Sequence, residues 1–239
     1  MTIIQKLGWS GYAINYRSCS GVINDTFYTY NAGKTEDLEQ LIWYVHNQDQ
    51  NRPIFLVGYS FGANILANCI SRPKSSLPKI LASALISGNY RIEPGVTAMA
   101  KGFSRVYEQS FVSSLIEKYK LKEAKFPNEV DYDAFFKSKT LYELDEKITA
   151  PYFSFPDVSS FYEEISSAKY LVNIEHPTLM LNSLDDPLSP PDCFPSDEEL
   201  SSPFLNFFTT EKGGHVAFVS RDTSYWLEKQ ILRWFLFNT

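Results

Sequence analysis

Short apolar runs recur along the chain with helix-forming stretches between them, and this alternation limits the possible folds more than any single residue does. "PIFLVG" (Pro53–Gly58), "KILASALIS" (Lys79–Ser87), "PTLMLNS" (Pro177–Ser183) and "FLNFFTT" (Phe204–Thr210) are each short and mostly apolar. Runs of this kind read as buried strands, and helices interposed between them imply a mostly parallel sheet covered on both faces. "GYAINY" (Gly11–Tyr16) reads as one more strand, ending in the loop "RSCSG". Thr35 can cap a helix whose first turn holds Glu36 and Asp37, which suits the helix dipole, and whose apolar face carries Leu38, Leu41, Ile42 and Val45. Further helices are expected at Ala63–Ile70 and at Ser224–Phe235, where Trp226, Leu227, Gln230 and Trp234 mix apolar and polar faces.

The alternation lapses between Gly88 and about Tyr170. A structureless loop of that length would be out of place in a compact domain, so the segment is expected to be a helical insertion that caps the core. Tyr107, Phe111, Leu115 and Tyr119 recur every four residues, which predicts an amphipathic helix over Ser104–Lys120. The expected organisation is one α/β domain, with a core at 1–88 and 171–239 and a cap insertion at about 89–170.

Charge and cysteine content narrow the partners. Twenty-two basic against 28 acidic residues give a formal charge of −6, with no basic block to meet nucleic acid or an anionic membrane. No apolar run is long enough to cross a bilayer, and the N-terminus has no signal-peptide apolar core, so a cytoplasmic protein is expected. Cys19, Cys69 and Cys193 are odd in number and far apart, which suits a reducing compartment rather than a disulfide framework.

Gly58-Tyr59-Ser60-Phe61-Gly62 matches G-x-S-x-G, with an apolar strand before it and a helix after it. A turn this tight requires small residues two before and two after the serine, and it lifts the hydroxyl above the end of the sheet. A serine hydroxyl needs a base within reach, and the chain has three histidines. His46 lies late in a helix, and His176 precedes a strand, which puts it at the opposite end of the sheet from Ser60. His215, in "EKGGHVAF", follows the last strand and so lies at the Ser60 end. A carboxylate to orient it is offered after the preceding strand by Asp185 or Asp186, one of which would then be a turn residue beside Pro187. No two histidines have metal-ligand spacing, so neither a metal nor a cofactor is expected.

The chain resembles the YheT-like, ABHD1/ABHD3-type branch of the α/β-hydrolases from about Gly8 to Trp234. The likeness is carried by "RSCSG", "YNAGKTEDL", "GYSFGAN", "KGFSRVY", "HPTLMLNSLDDP" and "GGHVAF". The departures near the site are mild: Ser18 stands for a glycine, Phe61 for a leucine and Ala63 for a glycine. The resemblance implies an α/β-hydrolase fold and a serine hydrolase of small-molecule or lipid carboxylic esters, with medium-chain acyl transfer as a related activity. It implies Ser60 as nucleophile, His215 as base and Asp186, three residues beyond Ser183, as the acid, with Asp185 as the alternative. The Phe61 N–H would be one oxyanion donor.

In this fold a second oxyanion donor comes from a loop after the third strand, usually marked by His-Gly, and no His-Gly occurs here. Losing one such donor costs on the order of 10²–10³ in rate. The resemblance therefore implies an N-terminally truncated family member, with "GYAINY" as the fourth strand and "PIFLVG" as the fifth. The third strand belongs between them, so either the two pair directly or an open edge is left in the sheet. A catalytically impaired or non-enzymatic remnant is the alternative to an active esterase.

Overall fold

The four apolar runs that alternate with helices become four parallel strands in the computed structural model, which describes residues 2–27, 29–72, 76–220 and 225–239. They are β1 (Phe55–Tyr59), β2 (Ala82–Ile86), β3 (Thr178–Ser183) and β4 (Leu205–Thr210), side by side in chain order. Val57 pairs with Ala84, Ala84 with Leu179, and Leu179 with Asn206. Every residue of β2 and β3 is buried, as expected of strands covered on both faces.

Helices α1 (Thr2–Lys6), α2 (Glu36–Gln48) and α3 (Phe61–Ser71) come first in the chain, and α10 (Trp226–Phe237) closes it. On one face Ile42 of α2 and Leu66, Ala67 and Ile70 of α3 pack with Ile54, Leu56, Leu85 and Met180. On the other, Leu227, Ile231 and Phe235 of α10 pack with Ala82, Ala84, Ile86, Leu179 and Leu181. Thr35 does occupy the N-cap position of α2, but its hydroxyl donates to Glu39 Oε1 at 2.5 Å instead of capping a backbone N–H. The first residue of the expected last helix, Ser224, lies outside the described residues.

Gly11–Tyr16 corrects an expectation: among the described residues it forms no strand, and it does not pair with β1. A strand is defined by its neighbour, and a wide cleft separates the two segments, with Tyr12, Ala13, Ile14 and Tyr16 on one side and Phe55–Tyr59 on the other. Among the described residues the outer edge of β1 is therefore open. Ile54 O accepts from Leu81 N and Ser60 N donates to Ile86 O, so even-numbered positions bond to β2. By alternation, the backbone N–H and C=O groups of Phe55, Val57 and Tyr59 face the cleft.

Between β2 and β3 the chain forms α4 (Ile92–Met99), α5 (Arg105–Lys125), α6 (Tyr132–Lys137), α7 (Leu141–Leu144), α8 (Ala150–Tyr152) and α9 (Val158–Ile165). The predicted stripe on α5 is only half used. Leu115 and Tyr119 pack with Val112, Phe135, Leu144 and Ile148, whereas Tyr107 and Phe111 stay exposed. Two buried asparagines one turn apart on α3 hold the end of this insertion. Asn64 and Asn68 each donate to both Ala32 O and Ile165 O, and Asn64 Oδ1 accepts from Ser167 N and Oγ.

Candidate active site

Ser60 joins the end of β1 to the start of α3 with φ 54° and ψ −124°, a conformation that non-glycine residues rarely adopt. Its neighbours make that turn possible. A Cβ on Gly58 would lie 2.6 Å from Gly62 O and 2.8 Å from Ala63 Cα, so position 58 accepts no side chain. A Cβ on Gly62 would lie 3.1 Å from the Tyr16 hydroxyl, a gentler restriction because a side-chain tip can move. As the first residue of α3, Phe61 has an amide with no carbonyl one turn earlier to bond, so it is available at the helix N-terminus.

The end of β4 leads into Gly213-Gly214-His215, and the structure brings this loop over Ser60. His215 Nε2 lies 2.6 Å from Ser60 Oγ, and His215 Nδ1 lies 2.7 Å from Asp186 Oδ2. The Asp186 side chain is fully buried, and its other oxygen accepts from Leu188 N at 2.8 Å and Ser189 N at 3.1 Å. The carboxylate is therefore fixed by its own loop before it meets the imidazole, whose side chain is 17% exposed.

Asp185 does not touch His215 Nδ1, yet it is more than a turn residue. Its Oδ1 accepts from Gly213 N at 2.9 Å, from Gly214 N at 2.8 Å and from the Ser183 hydroxyl. These hydrogen bonds, led by the one from Ser183, hold its carboxyl below the usual carboxylate range. Gly214 takes φ +59°, and a Cβ on Gly213 would sit 2.7 Å from the Phe218 ring, so both glycines are required by the loop's path. Ser87, just after β2, adds a further restraint by donating from its hydroxyl to His215 O.

Sequence reasoning missed Ser87 and Tyr16. Ser87 could have been noticed as the residue that leaves β2 at the Ser60 end of the sheet. Tyr16 stacks on Tyr30 at 5.1 Å, Tyr30 meets the Phe61 ring edge-on, and burial pushes the Tyr16 hydroxyl up to about 12. The other two histidines lie away from this cluster. His46 meets the Trp43 ring on α2, and His176 Nε2 sits 2.7 Å from Ser83 Oγ at the far end of β2.

Ser60 opens onto a cleft of about 1680 Å3 that runs along the free edge of β1 and under the insertion. Val96, Met99, Leu141, Phe153 and Leu188 line the part beneath the insertion. Asp145 also lines it, receiving the Tyr162 hydroxyl at 3.0 Å, and burial raises its carboxyl to about 6. No described helix is long and apolar enough to cross a membrane.

A parallel sheet between helix layers, with a serine on a strained strand-to-helix turn at its C-terminal end, defines an α/β-hydrolase. The family model described as "Serine aminopeptidase, S33" matches residues 32–193. YheT of Escherichia coli (strain K12) is 32% identical over 235 residues, covering 96% of this chain and 68% of YheT. Phospholipase ABHD3 of Homo sapiens is 27% identical, covering 90% of this chain and 53% of its own length. Medium-chain fatty acid ethyl ester synthase/esterase 2 of Saccharomyces cerevisiae is 26% identical, covering 93% and 54%. The chain belongs to the α/β-hydrolases, in the branch that holds YheT and ABHD3. It spans about half the length of the human and yeast relatives.

Proposed function

We propose that the chain is a serine hydrolase of carboxylic esters in which Ser60, His215 and Asp186 act together. The observation that carries this reading is the position of His215, within 2.6 Å of Ser60 Oγ and 2.7 Å of Asp186 Oδ2. The Ser60 hydroxyl donates to Nε2, and its oxygen attacks the ester carbonyl as that proton passes to the imidazole. Asp186, accepting from Nδ1–H, fixes the tautomer and stabilises the imidazolium. The Phe61 N–H donates to the oxyanion. The imidazolium then gives its proton to the departing alcohol, leaving an acyl-Ser60 ester. Water or a second alcohol, deprotonated by His215, releases the acyl group as acid or new ester.

The apolar walls beneath the insertion suit an acyl chain, and the names of the yeast and human relatives support an acyl ester as substrate. The test is labelling of the folded chain with a fluorophosphonate. Labelling that disappears in Ser60→Ala supports the reading, and folded protein that stays unlabelled overturns it.

A second reading, a fold with the serine, histidine and acid in place but impaired turnover, is favoured by the open edge of β1 beside Ser60. The second oxyanion donor of this fold comes from the loop after the strand that would lie there. Labelling with ester turnover lower on the order of 10²–10³-fold than that of a longer relative would favour it.

A further inference from the structure

We propose that Asp145 and Thr149 form a polar recognition point in the chamber beneath the insertion, and that it binds a hydroxyl carried on the acyl chain of the substrate. This inference rests on the reading of Ser60, His215 and Asp186 as an ester-cleaving site and names a feature of the substrate of that same site.

The local helix geometry brings the two residues together. Between α7 and α8 the chain makes a single π-helical turn, Asp145–Thr149, wider than the α-helix on either side of it. Such turns are rare and occur frequently at functional sites, and their i→i+5 bonding sets residues four apart on nearly the same face. The Thr149 hydroxyl hydrogen-bonds to the Asp145 carboxylate, and both residues line the cleft onto which Ser60 opens. Along the same wall stand Leu141, Leu144, Ile148, Phe153 and Phe161. A carboxylate and a hydroxyl therefore interrupt a wall that is otherwise suited to hydrocarbon.

The partners of that carboxylate leave it with acceptor capacity to spare. Tyr162 donates to Oδ2 at 3.0 Å, and Thr149 supplies a second hydrogen bond. An ionised carboxylate can accept about four. Among the described residues no Lys, Arg or His pairs with Asp145, and its titratable neighbours, Tyr119 of α5 and Tyr162 of α9, are phenols that burial keeps neutral. Were its only task to receive the Tyr162 hydroxyl, a neutral amide would serve without the cost of burying a charge. Because Asp145 lines the cleft, the spare capacity is open to a donor on the substrate. An alcohol hydroxyl suits it better than an ammonium group, which would have to shed its water among Leu144, Ile148 and Phe153 before it could pair.

The experiment measures binding by calorimetry on the Ser60→Ala chain, so the result does not depend on turnover. Failure of the Ser60 reading shows separately, as absent fluorophosphonate labelling of the wild type. The ligands are methyl esters of straight-chain acids of graded length, each with and without a terminal hydroxyl. The proposal expects the hydroxyl to tighten binding by about tenfold or more at one chain length and to weaken it at shorter ones. Asp145→Leu, added to Ser60→Ala, should reverse the preference in favour of the plain esters, and near-ultraviolet circular dichroism checks that it is folded. Asp145→Asn keeps an acceptor for Tyr162, so it tests the same point with less disturbance, and should cut the advantage to about threefold. Hydroxy esters that bind no better than plain ones at any length overturn the proposal. An advantage that stays undiminished in Asp145→Asn does so too. Terminal amino esters that bind more tightly than the hydroxy esters would make the ligand an ammonium group and overturn it as well.

Discussion

Asp185 and Asp186 are neighbours in sequence but hold the same loop through different atoms. Asp185 takes the Gly213 and Gly214 amides, and Asp186 takes His215 Nδ1. One carboxylate sets the course of the backbone and the other the orientation of the ring.

The two should separate on substitution. Asp186→Asn is expected to lower the rate of fluorophosphonate labelling by about 10⁴-fold, because an amide facing Nδ1 favours the wrong tautomer. Asp185→Asn should lower it far less, and should speed exchange of the Gly213 and Gly214 amides, which Asp186→Asn leaves slow. Equal losses of labelling with no difference in exchange would contradict this division.

Gly58 and Gly62 flank Ser60 symmetrically in sequence but not in space. Gly58→Ala drives a Cβ into backbone atoms at 2.6 and 2.8 Å and should destabilise the fold by about 1–3 kcal/mol. Gly62→Ala meets only the Tyr16 hydroxyl and should cost well under half of that. Urea unfolding of the two variants gives the comparison directly.

Asp145 should make the protein less stable as pH rises. Burial raises its folded carboxyl from 3.8 to about 6, so the folded state holds the proton more tightly than the unfolded chain does. Its contribution is complete below about pH 4 and is lost as pH climbs through 6. The full shift corresponds to about 3 kcal/mol, and contact with the cleft should screen this to about 1–2 kcal/mol. Asp145→Asn keeps an acceptor for Tyr162 and should flatten that part of the stability profile, measured by denaturant unfolding between pH 4 and 7.

His176 should act in the opposite direction. Burial lowers it from 6.5 to about 4, so the folded state disfavours the charged ring. Stability from the neutral imidazole is present above pH 6.5 and lost as pH falls toward 4. His176→Gln should remove that loss while retaining a partner for Ser83, and the difference from wild type should vanish above pH 7.

The sheet was legible because β1 to β4 are short, mostly apolar local runs, of which β2 and β3 are buried throughout. Gly11–Tyr16 carries a similar pattern yet joins no strand among the described residues, since strand pairing depends on a neighbour and not on the run itself. Ser60, His215 and the two candidate acids could be placed from chain order alone, because each follows a strand at the same end of the sheet. The choice between Asp185 and Asp186 could not be read from the residues alone, as it depends on which way each side chain leaves a tight turn. Tyr107 and Phe111 show the same limit on α5: periodicity marks a face without saying how much of it will be covered.

Asn64 and Asn68 send four hydrogen bonds to Ala32 O and Ile165 O, so the insertion is riveted to the helix behind Ser60 where it rejoins the core. Its entry side carries Phe103, which is 77% exposed. A protease that prefers aromatic residues should therefore nick the chain there first. The two pieces would stay together, because β2 pairs with β3 across the cut and Asn64 and Asn68, on one side of it, donate to Ile165 O on the other. Only denaturant would reveal that the protein was no longer one chain.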